Sequence, residues 1–448
     1  MSEPEPARTR LLGFWSSLAL VIGTLVGSGI YLLPAQLAQF GWNAVAGWLV
    51  TIGGALCLAF IFARLARQLP SAAGPYAYVG AAFGRPPAFA VAWSYWISTW
   101  VGNAAISVAA SSYLSLFIPA LADEPGWGAA AAILILWILT VVNCVSLRAS
   151  GGIQIVTTLL KLLPLLLVIA IAAAVALSPG GTSAAPPLRP EALNLDSINA
   201  AAALTLWAML GIEAAAWASR NVRAPERNVP RATLAGTLLV GLLYLLVSTP
   251  VALLLPVAEV SASNAPLAFF VERFWGSGLG LAVGLFAAVS VIGALNGLVL
   301  LQGELPLAMA RDGAFPRWFD KVSPSGRPVR ALLVSSLLTS LLILANASRT
   351  LSGLFTFMAL ISTAAALVLY FAVAAAAVEL QRRNLVETTA GLLAAAGIGS
   401  LYALWTFHGA GLEATGWCLV LIAAGLPVYL LSRGSSPAAA PSPVRPPE

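Results

Sequence analysis

Hydrophobic runs of about 20 residues recur along almost the whole chain, each long enough to cross the ~30 Å core of a bilayer as a helix. Of the 448 residues, 60% are hydrophobic and 9% are charged, whereas a soluble domain carries roughly 25% charged residues. No stretch remains that is large enough for a separate soluble domain. The pattern therefore predicts an all-α, polytopic membrane protein with a single domain.

Apolar windows predict twelve membrane-spanning helices. The first run follows Arg8 and Arg10 as in a signal peptide, but it is longer than a signal core and lacks a cleavage site, so we expect it to remain as a helix. The segments 1–10 and 434–448 are predicted to be disordered, and 11–433 to form the domain. The windows are 13–33, 44–68, 87–118, 128–147, 153–177, 197–218, 231–255, 278–305, 330–346, 352–380, 388–406 and 414–432.

Basic residues predict the orientation of these spans. With a cytoplasmic N-terminus, 19 of the 23 Lys and Arg residues lie in cytoplasmic loops or ends, three lie on the outer side, and Lys161 lies within a span. Short loops rich in Lys and Arg stay in the cytoplasm. We therefore expect a protein of the cytoplasmic (inner) membrane, with both termini in the cytoplasm. The net charge of +6 is explained by this topology and does not indicate nucleic-acid binding.

Chemistry-bearing clusters are not visible in the spans. The three cysteines, Cys57, Cys144 and Cys418, are scattered in apolar runs and predict neither a disulfide framework nor a metal site. The sole histidine, His408, falls in an outer loop, and paired aspartates are absent from the spans. An enzyme, a metal and a cofactor are therefore not expected, and no filter-like loop indicates a channel. A receptor that does not transport remains an open alternative.

Glycines interrupt the first span. Gly23, Gly27 and Gly29 fall within seven residues, with Thr24 and Ser28 between them. Three glycines make a continuous helix costly and allow close backbone approach. Free amides at the start of a half-helix would bind a carboxylate. The alternative is a packing role, because two glycines spaced by three residues are also a helix-packing pattern.

The sixth span is interrupted around Trp207 to Glu213, where Gly211 precedes the acid by two residues. A carboxylate within the membrane usually faces a cavity, a partner or a proton path. Glu213 is therefore a functional candidate. The alternative is a carboxylate near the cytoplasmic end of the span that bonds to the backbone.

Breaks in spans 1 and 6 together indicate an inverted-repeat transporter with its site at the membrane midplane. Two five-helix repeats would cover about 13–177 and 197–380, and two peripheral helices about 388–432. The repeat follows from the breaks, since the two halves do not align by eye.

Three polar residues within spans are further candidates. Lys161 in span 5 can carry a proton or replace a bound cation by donating to carbonyls. Asn103 and Tyr95 in span 3 are weaker signals, because each can simply bond a neighbouring helix.

Six motifs in this order resemble the amino acid–polyamine–organocation superfamily of transporters, and most of all its bacterial arginine/agmatine antiporter branch. The resemblance covers nearly the whole chain and implies the fold of two inverted repeats, alternating access and a central site. The motifs are GTLVGSGIYLLPA at 23–35, LPSAAGPYAYVGAAFG at 69–84, YWISTWVGN at 95–103, TLWAMLGIE at 205–213, NVRAPERNVPRA at 221–232 and MARDGAFP at 309–316.

The resemblance also implies roles for residues. The glycine-rich break would hold the substrate carboxylate, carbonyls near Gly23 and Trp207 would accept from its α-amino group, and the Trp207 ring would cover it. Asn103 and Ile106 would line the side-chain pocket, and Glu213 matches a proton-sensitive acid. The implied substrate-binding set is Gly23, Thr24, Gly27, Ser28, Gly29, Asn103, Ile106, Trp207, Ala208, Leu210 and Leu298; the coupling set is Tyr95, Lys161 and Glu213.

Two departures from the antiporter pattern matter. A second pocket tryptophan of those antiporters falls on Leu298, and Lys161 matches a lysine of proton-coupled and L-type relatives, where the ammonium takes the place of sodium. Both weigh against arginine as the specific substrate, and Lys161 weighs against sodium coupling. We predict a secondary active transporter of amino acids or amines, proton-coupled or exchanging. The narrower alternative is a basic amino acid/polyamine antiporter; a homodimer is possible.

Overall fold

The computed structural model describes residues 13–27, 29–69, 74–145, 147–178, 186–213, 222–311, 313 and 315–433. Ser28, the two predicted disordered ends and residues 214–218 of predicted span 6 lie outside the described residues. Where the chain is described, its elements are helices, and no β-strand is present.

A helix lies on each of the twelve predicted windows, and each keeps the number of its span. In chain order, the bounds are Phe14–Leu25 with Gly29–Leu37 (span 1), Trp42–Gln68, Arg85–Leu114, Trp127–Val145, Leu147–Leu177, Leu195–Ala208 (span 6), Pro225–Leu254, Ser277–Arg311, Val329–Ala345, Leu351–Arg382 (span 10), Ala390–Gly409, and Gly411–Ala423 with Gly425–Arg433 (span 12). Shorter helices, Pro75–Phe83, Ala120–Asp123, Val257–Ala262 and Pro266–Trp275, lie in the connections.

Seven of these helices are long and apolar enough to cross a membrane, and the bent pair of span 1 makes an eighth. The other four spans are short or more polar over the described residues. An all-α polytopic membrane protein is therefore confirmed.

Helix contacts repeat when spans 1–5 are exchanged for spans 6–10. Span 1 packs on span 7 as span 6 packs on span 2, and span 3 packs on span 10 as span 8 packs on span 5. The pairs 2 with 7, 3 with 8 and 4 with 9, which the exchange maps onto themselves, are also in contact. Because five spans is an odd number, the second repeat runs opposite to the first, as the two breaks predicted.

Polar bonds within the bundle tie spans 3, 4, 8 and 9 together. Asn143 on span 4 donates to the side-chain oxygen of Asn296 on span 8 at 2.9 Å. Trp96 on span 3 donates to the Ser335 hydroxyl on span 9, also at 2.9 Å. Buried polar groups require such partners, and contacts of span 3 with span 8 and of span 4 with span 9 join the two pairs into one frame beside the broken helices. Spans 11 and 12 pack on the outside against spans 2, 3, 6 and 10.

Candidate functional site

Span 1 breaks where the glycines predicted. Its first helix ends at Leu25, the second begins at Gly29, and the two meet at an angle of 48°. The Gly27 amide donates to the Leu25 carbonyl at 2.7 Å in a tight turn. This amide is thus engaged within the turn, and its carboxylate-binding role stays a prediction. The Thr24 hydroxyl is likewise satisfied by carbonyls of its own helix.

The break leaves the Gly23 carbonyl without its helical partner, and Lys161 forms a hydrogen bond with it. In a continuous helix, the Gly23 carbonyl would accept from the Gly27 amide four residues on. Here that amide bonds elsewhere, and the Lys161 ammonium donates to the Gly23 carbonyl at 3.3 Å. Lys161 is 1% exposed. The contact fits a lysine that stands in for a cation, and it equally fits one that carries a proton.

Two tyrosines that sequence reasoning did not single out form hydrogen bonds next to the break in span 1. The Tyr31 hydroxyl donates to the Lys161 carbonyl at 2.8 Å, and the Tyr244 hydroxyl donates to the Leu25 carbonyl at 2.7 Å. Span 1 is therefore held at its break from spans 5 and 7.

Span 6 breaks beside span 1. Its described helix ends at Ala208, and Gly211 has φ +109°, which a residue with a Cβ rarely adopts. A Cβ added to Gly211 would lie 3.8 Å from the Thr24 carbonyl oxygen, and one added to Gly29 only 2.8 Å from Ala208 Cα. The two breaks therefore face each other across direct backbone contact, with Leu210 half-buried beside them.

Trp207 lies between the broken helices and the frame. Its ring stands 3.2 Å from the Cβ position of Gly102 on span 3 and makes an edge contact with Phe355 on span 10, with centroids 6.4 Å apart. The side chain is 7% exposed. Its Nε1 is buried without a hydrogen-bond partner among the described residues. A ring in this position can cover a bound molecule, as the resemblance implied.

Glu213 joins three spans. It is 2% exposed, and its two carboxylate oxygens accept from the Tyr95 hydroxyl on span 3 at 2.5 Å and from the Tyr370 hydroxyl on span 10 at 2.9 Å. Within the described residues, its partners in side-chain hydrogen bonds are these hydroxyls and no cation. Tyr370 was missed, because a tyrosine in an apolar span is unremarkable in sequence.

The predicted side-chain pocket lies where span 3 meets span 8. Asn103 is fully buried, and its amide nitrogen donates to the Leu298 carbonyl at 3.2 Å and to Gln302 Oε1 at 2.7 Å. Ile106, one turn further on, is also buried. Gln302, like the three tyrosines, was not revealed by the sequence.

Comparisons with known proteins agree with this architecture. The chain is 33% identical over 346 residues to the cadaverine/lysine antiporter of Escherichia coli (strain K12), covering 76% of each protein. It is 30% identical to a putative arginine/ornithine antiporter of Bacillus subtilis (strain 168), covering 81% of this chain and 83% of that relative. It is 27% identical to the putrescine transporter PotE of Escherichia coli (strain K12), covering 91% and 93%.

These relatives are transporters, and the facing breaks in spans 1 and 6 of this chain are features of a transport site. It is a secondary active transporter and an integral multi-pass membrane protein. A sequence model of the family described as amino acid permease matches residues 12–435, and the chain therefore belongs to the amino acid permease family.

Proposed function

We propose that the protein is an antiporter that exchanges basic amino acids and polyamines across the cytoplasmic membrane. The observation that carries this proposal is Glu213, a buried carboxylate whose described side-chain partners are two neutral hydroxyls. A buried anion without a cation is costly, so the Glu213 charge favours a positively charged substrate bound nearby. The printed names of the relatives, which pair lysine with cadaverine and arginine with ornithine or name putrescine, support the same substrate class.

Alternating access follows from contacts on the two sides of Trp207. On the predicted outer side, Gln36 of span 1 donates to the Ser352 hydroxyl at 2.5 Å and accepts from Thr356 at 2.7 Å, both on span 10. On the other side, Glu213 bonds spans 3 and 10. A carrier opens one side at a time, so the Gln36 bonds and the Glu213 bonds break in turn. The frame of spans 3, 4, 8 and 9 stays in place meanwhile.

Substrate would bind at the paired breaks. Its carboxylate lies at the start of the second half of span 1, near Gly29, where a helix N-terminus favours negative charge. Its side chain extends past Gly102 towards Asn103, under the ring of Trp207.

Exchange is tested in proteoliposomes that contain the purified protein. We expect labelled lysine to enter vesicles loaded with lysine or cadaverine and not to enter empty vesicles, whereas labelled leucine and alanine enter neither. A Trp207→Ala variant is expected to lose exchange at least tenfold, because the ring no longer covers the site. Lysine uptake that is equal in loaded and empty vesicles would contradict an antiporter.

Proton-coupled uptake is a second candidate, favoured by the contact of Lys161 with the Gly23 carbonyl. A buried ammonium at a helix break is suited to take the place of a metal cation and to release a proton. This candidate predicts net uptake of neutral amino acids into empty vesicles, driven by an acidic outer solution. Absence of such uptake while lysine exchange proceeds would reject it.

We further propose that both termini face the cytoplasm of the inner membrane, because 19 basic residues fall on that side against three on the other, and short basic loops stay in the cytoplasm. Labelling of a single cysteine placed at Ser435 with an impermeant reagent tests this. Labelling in intact cells would contradict the orientation, and labelling only after lysis supports it.

A further inference from the structure

The neighbours of Asn103 allow only one orientation of its side-chain amide. The same Asn103 atom lies 3.2 Å from the Leu298 carbonyl oxygen and 2.7 Å from a side-chain atom of Gln302. A backbone carbonyl can only accept, so the Asn103 atom facing it is the nitrogen. The Gln302 atom that meets this nitrogen must then be the oxygen, because two amide N–H groups would repel.

Gln302 is itself fixed by the frame. Its nitrogen donates to the Ser336 hydroxyl on span 9 at 2.9 Å, and its backbone carbonyl accepts from the Ser335 hydroxyl at 3.2 Å. Gln302, Ser335 and Ser336 are all fully buried. The Leu298 carbonyl orients the Asn103 amide, and the shorter bond to Gln302, which is itself anchored to span 9, holds the amide in that orientation.

The Asn103 oxygen is left as an acceptor without a donor. It is buried and has no hydrogen-bond partner among the described residues. The preceding residue, Gly102, lies against the Trp207 ring and against the Ser362 hydroxyl, each 3.2 Å from its Cβ position. That hydroxyl is already engaged, because it donates to the Ser98 carbonyl at 2.7 Å and lies 3.1 Å from the Ser98 hydroxyl.

A buried acceptor without a partner selects for a donor. Leaving a buried carbonyl without a partner costs about 1–3 kcal/mol, and no described residue supplies a donor to the Asn103 oxygen. An ammonium brings three N–H groups on a compact charge, whereas a guanidinium is a planar fork that stacks on aromatic faces. Leu298 gives no such face on this side of the pocket.

We propose that Gln302 is a positioning residue that fixes Asn103 as an acceptor, and that the site therefore selects substrates whose far end is a primary ammonium group over those ending in a methyl or a guanidinium group. This inference rests on the proposed antiport and names its substrate class.

The test is competition against labelled lysine exchange in proteoliposomes. The competitors are unlabelled lysine, arginine and norleucine, which is lysine without its terminal ammonium. In the native protein, lysine competes best. In Gln302→Met, which keeps the volume and removes the acceptor for Asn103, the preference for lysine over norleucine is expected to fall about tenfold, the equivalent of one charge-assisted hydrogen bond. Transport rate at saturating lysine changes less than this preference.

A matched control is Asn296→Leu, which breaks another buried amide pair on the same span without touching Asn103. Its preference for lysine is expected to stay within twofold of the native value. Ser336→Ala is a milder second variant, which loosens only the far end of Gln302 and should lower the preference about threefold, on the scale of one neutral hydrogen bond.

Combining substitutions at Asn103 and Gln302 separates a positioning role of Gln302 from a packing role. Asn103→Leu removes the acceptor itself, so adding Gln302→Met to it should change the preference no further. A Gln302→Met protein with native preference, or effects of the two substitutions that simply add, would overturn the inference while leaving the antiport in place. A native protein that exchanges neither lysine nor cadaverine would overturn the proposed function, and this inference with it.

Discussion

The two buried charges of the site are held in different ways. Lys161 donates to a backbone carbonyl, which is available only because span 1 is broken. Glu213 accepts from two side chains, Tyr95 and Tyr370, that belong to spans 3 and 10. The Lys161 contact thus depends on the break in span 1, whereas the Glu213 contacts join span 6 to spans 3 and 10.

The difference indicates different roles in a transport cycle. A bond to the Gly23 carbonyl stabilises the shape of the first break, so it supports the site whichever side is open. Bonds from Glu213 to spans 3 and 10 must break when span 6 moves relative to them. We therefore expect loss of Lys161 to impair every step, and loss of the Glu213 charge to alter how the cycle responds to protons and cations.

Gly29→Ala should have the largest effect, because it disturbs the contact between the two breaks. The new Cβ would lie 2.8 Å from Ala208 Cα, a distance that forces the backbone of one break to shift. Exchange of lysine is expected to fall by at least about a hundredfold, because displacement of a binding group by 1 Å has effects of that size. Gly53→Ala in span 2, where the added Cβ meets nothing within 4 Å, is the control and should transport normally.

Lys161→Ala comes next. It leaves the Gly23 carbonyl without its partner, at a cost of about 1–3 kcal/mol, and exchange should fall by about tenfold or more. Lys321→Ala, at an exposed loop lysine, is the matched control. Normal transport by Lys161→Ala with unchanged pH dependence would show that the lysine has neither role.

Glu213→Gln should act on pH dependence more than on rate. In the native protein, acid is expected to weaken exchange of cations, because protonation removes a negative charge that favours cations near the breaks. The glutamine has no charge to lose, so its exchange should be lower by a few-fold, roughly 1 kcal/mol, and flat from acid to neutral pH. The control is Glu226→Gln at an exposed position, which should keep the native pH profile. A native pH profile in Glu213→Gln would show that the Glu213 carboxylate has no part in coupling.

The smallest effect is expected from Tyr370→Phe, which removes one of the two hydroxyls on Glu213. The Tyr95 hydroxyl still bonds the carboxylate, so the loss should lie near the lower end of one hydrogen bond's contribution, about 0.6 kcal/mol, which is about threefold in the rate of exchange. The control Tyr402→Phe removes a buried hydroxyl that bonds Thr51 away from the site. If both variants behave alike, the tyrosines on Glu213 are no more than packing residues.

Sequence reasoning found the features that disturb an apolar background. Three glycines in seven residues, a lysine and a glutamate within spans are rare enough to stand out, and the structure brings Gly23, Lys161, Trp207 and Glu213 to the two breaks. The contact symmetry of the repeats also follows from those breaks, although the halves do not align by eye.

The residues that sequence reasoning missed are ordinary ones. Tyr31, Tyr244 and Tyr370 are amphipathic side chains that occur in many spans, and Gln302 differs from other polar residues only in what it faces. Their partners depend on the rotation of each helix about its axis, and spans that are hydrophobic on all sides carry little periodic signal for that rotation. The role of Ser28 stays a prediction.

The bond between Lys161 and the Gly23 carbonyl has a consequence for how this protein tolerates variation. Every amino acid has a backbone carbonyl, so no substitution at position 23 removes the acceptor. In a saturation scan scored by growth on a transported substrate, damaging alleles of this contact should therefore concentrate on Lys161, whereas the Glu213 contacts should show damage at all three of their positions.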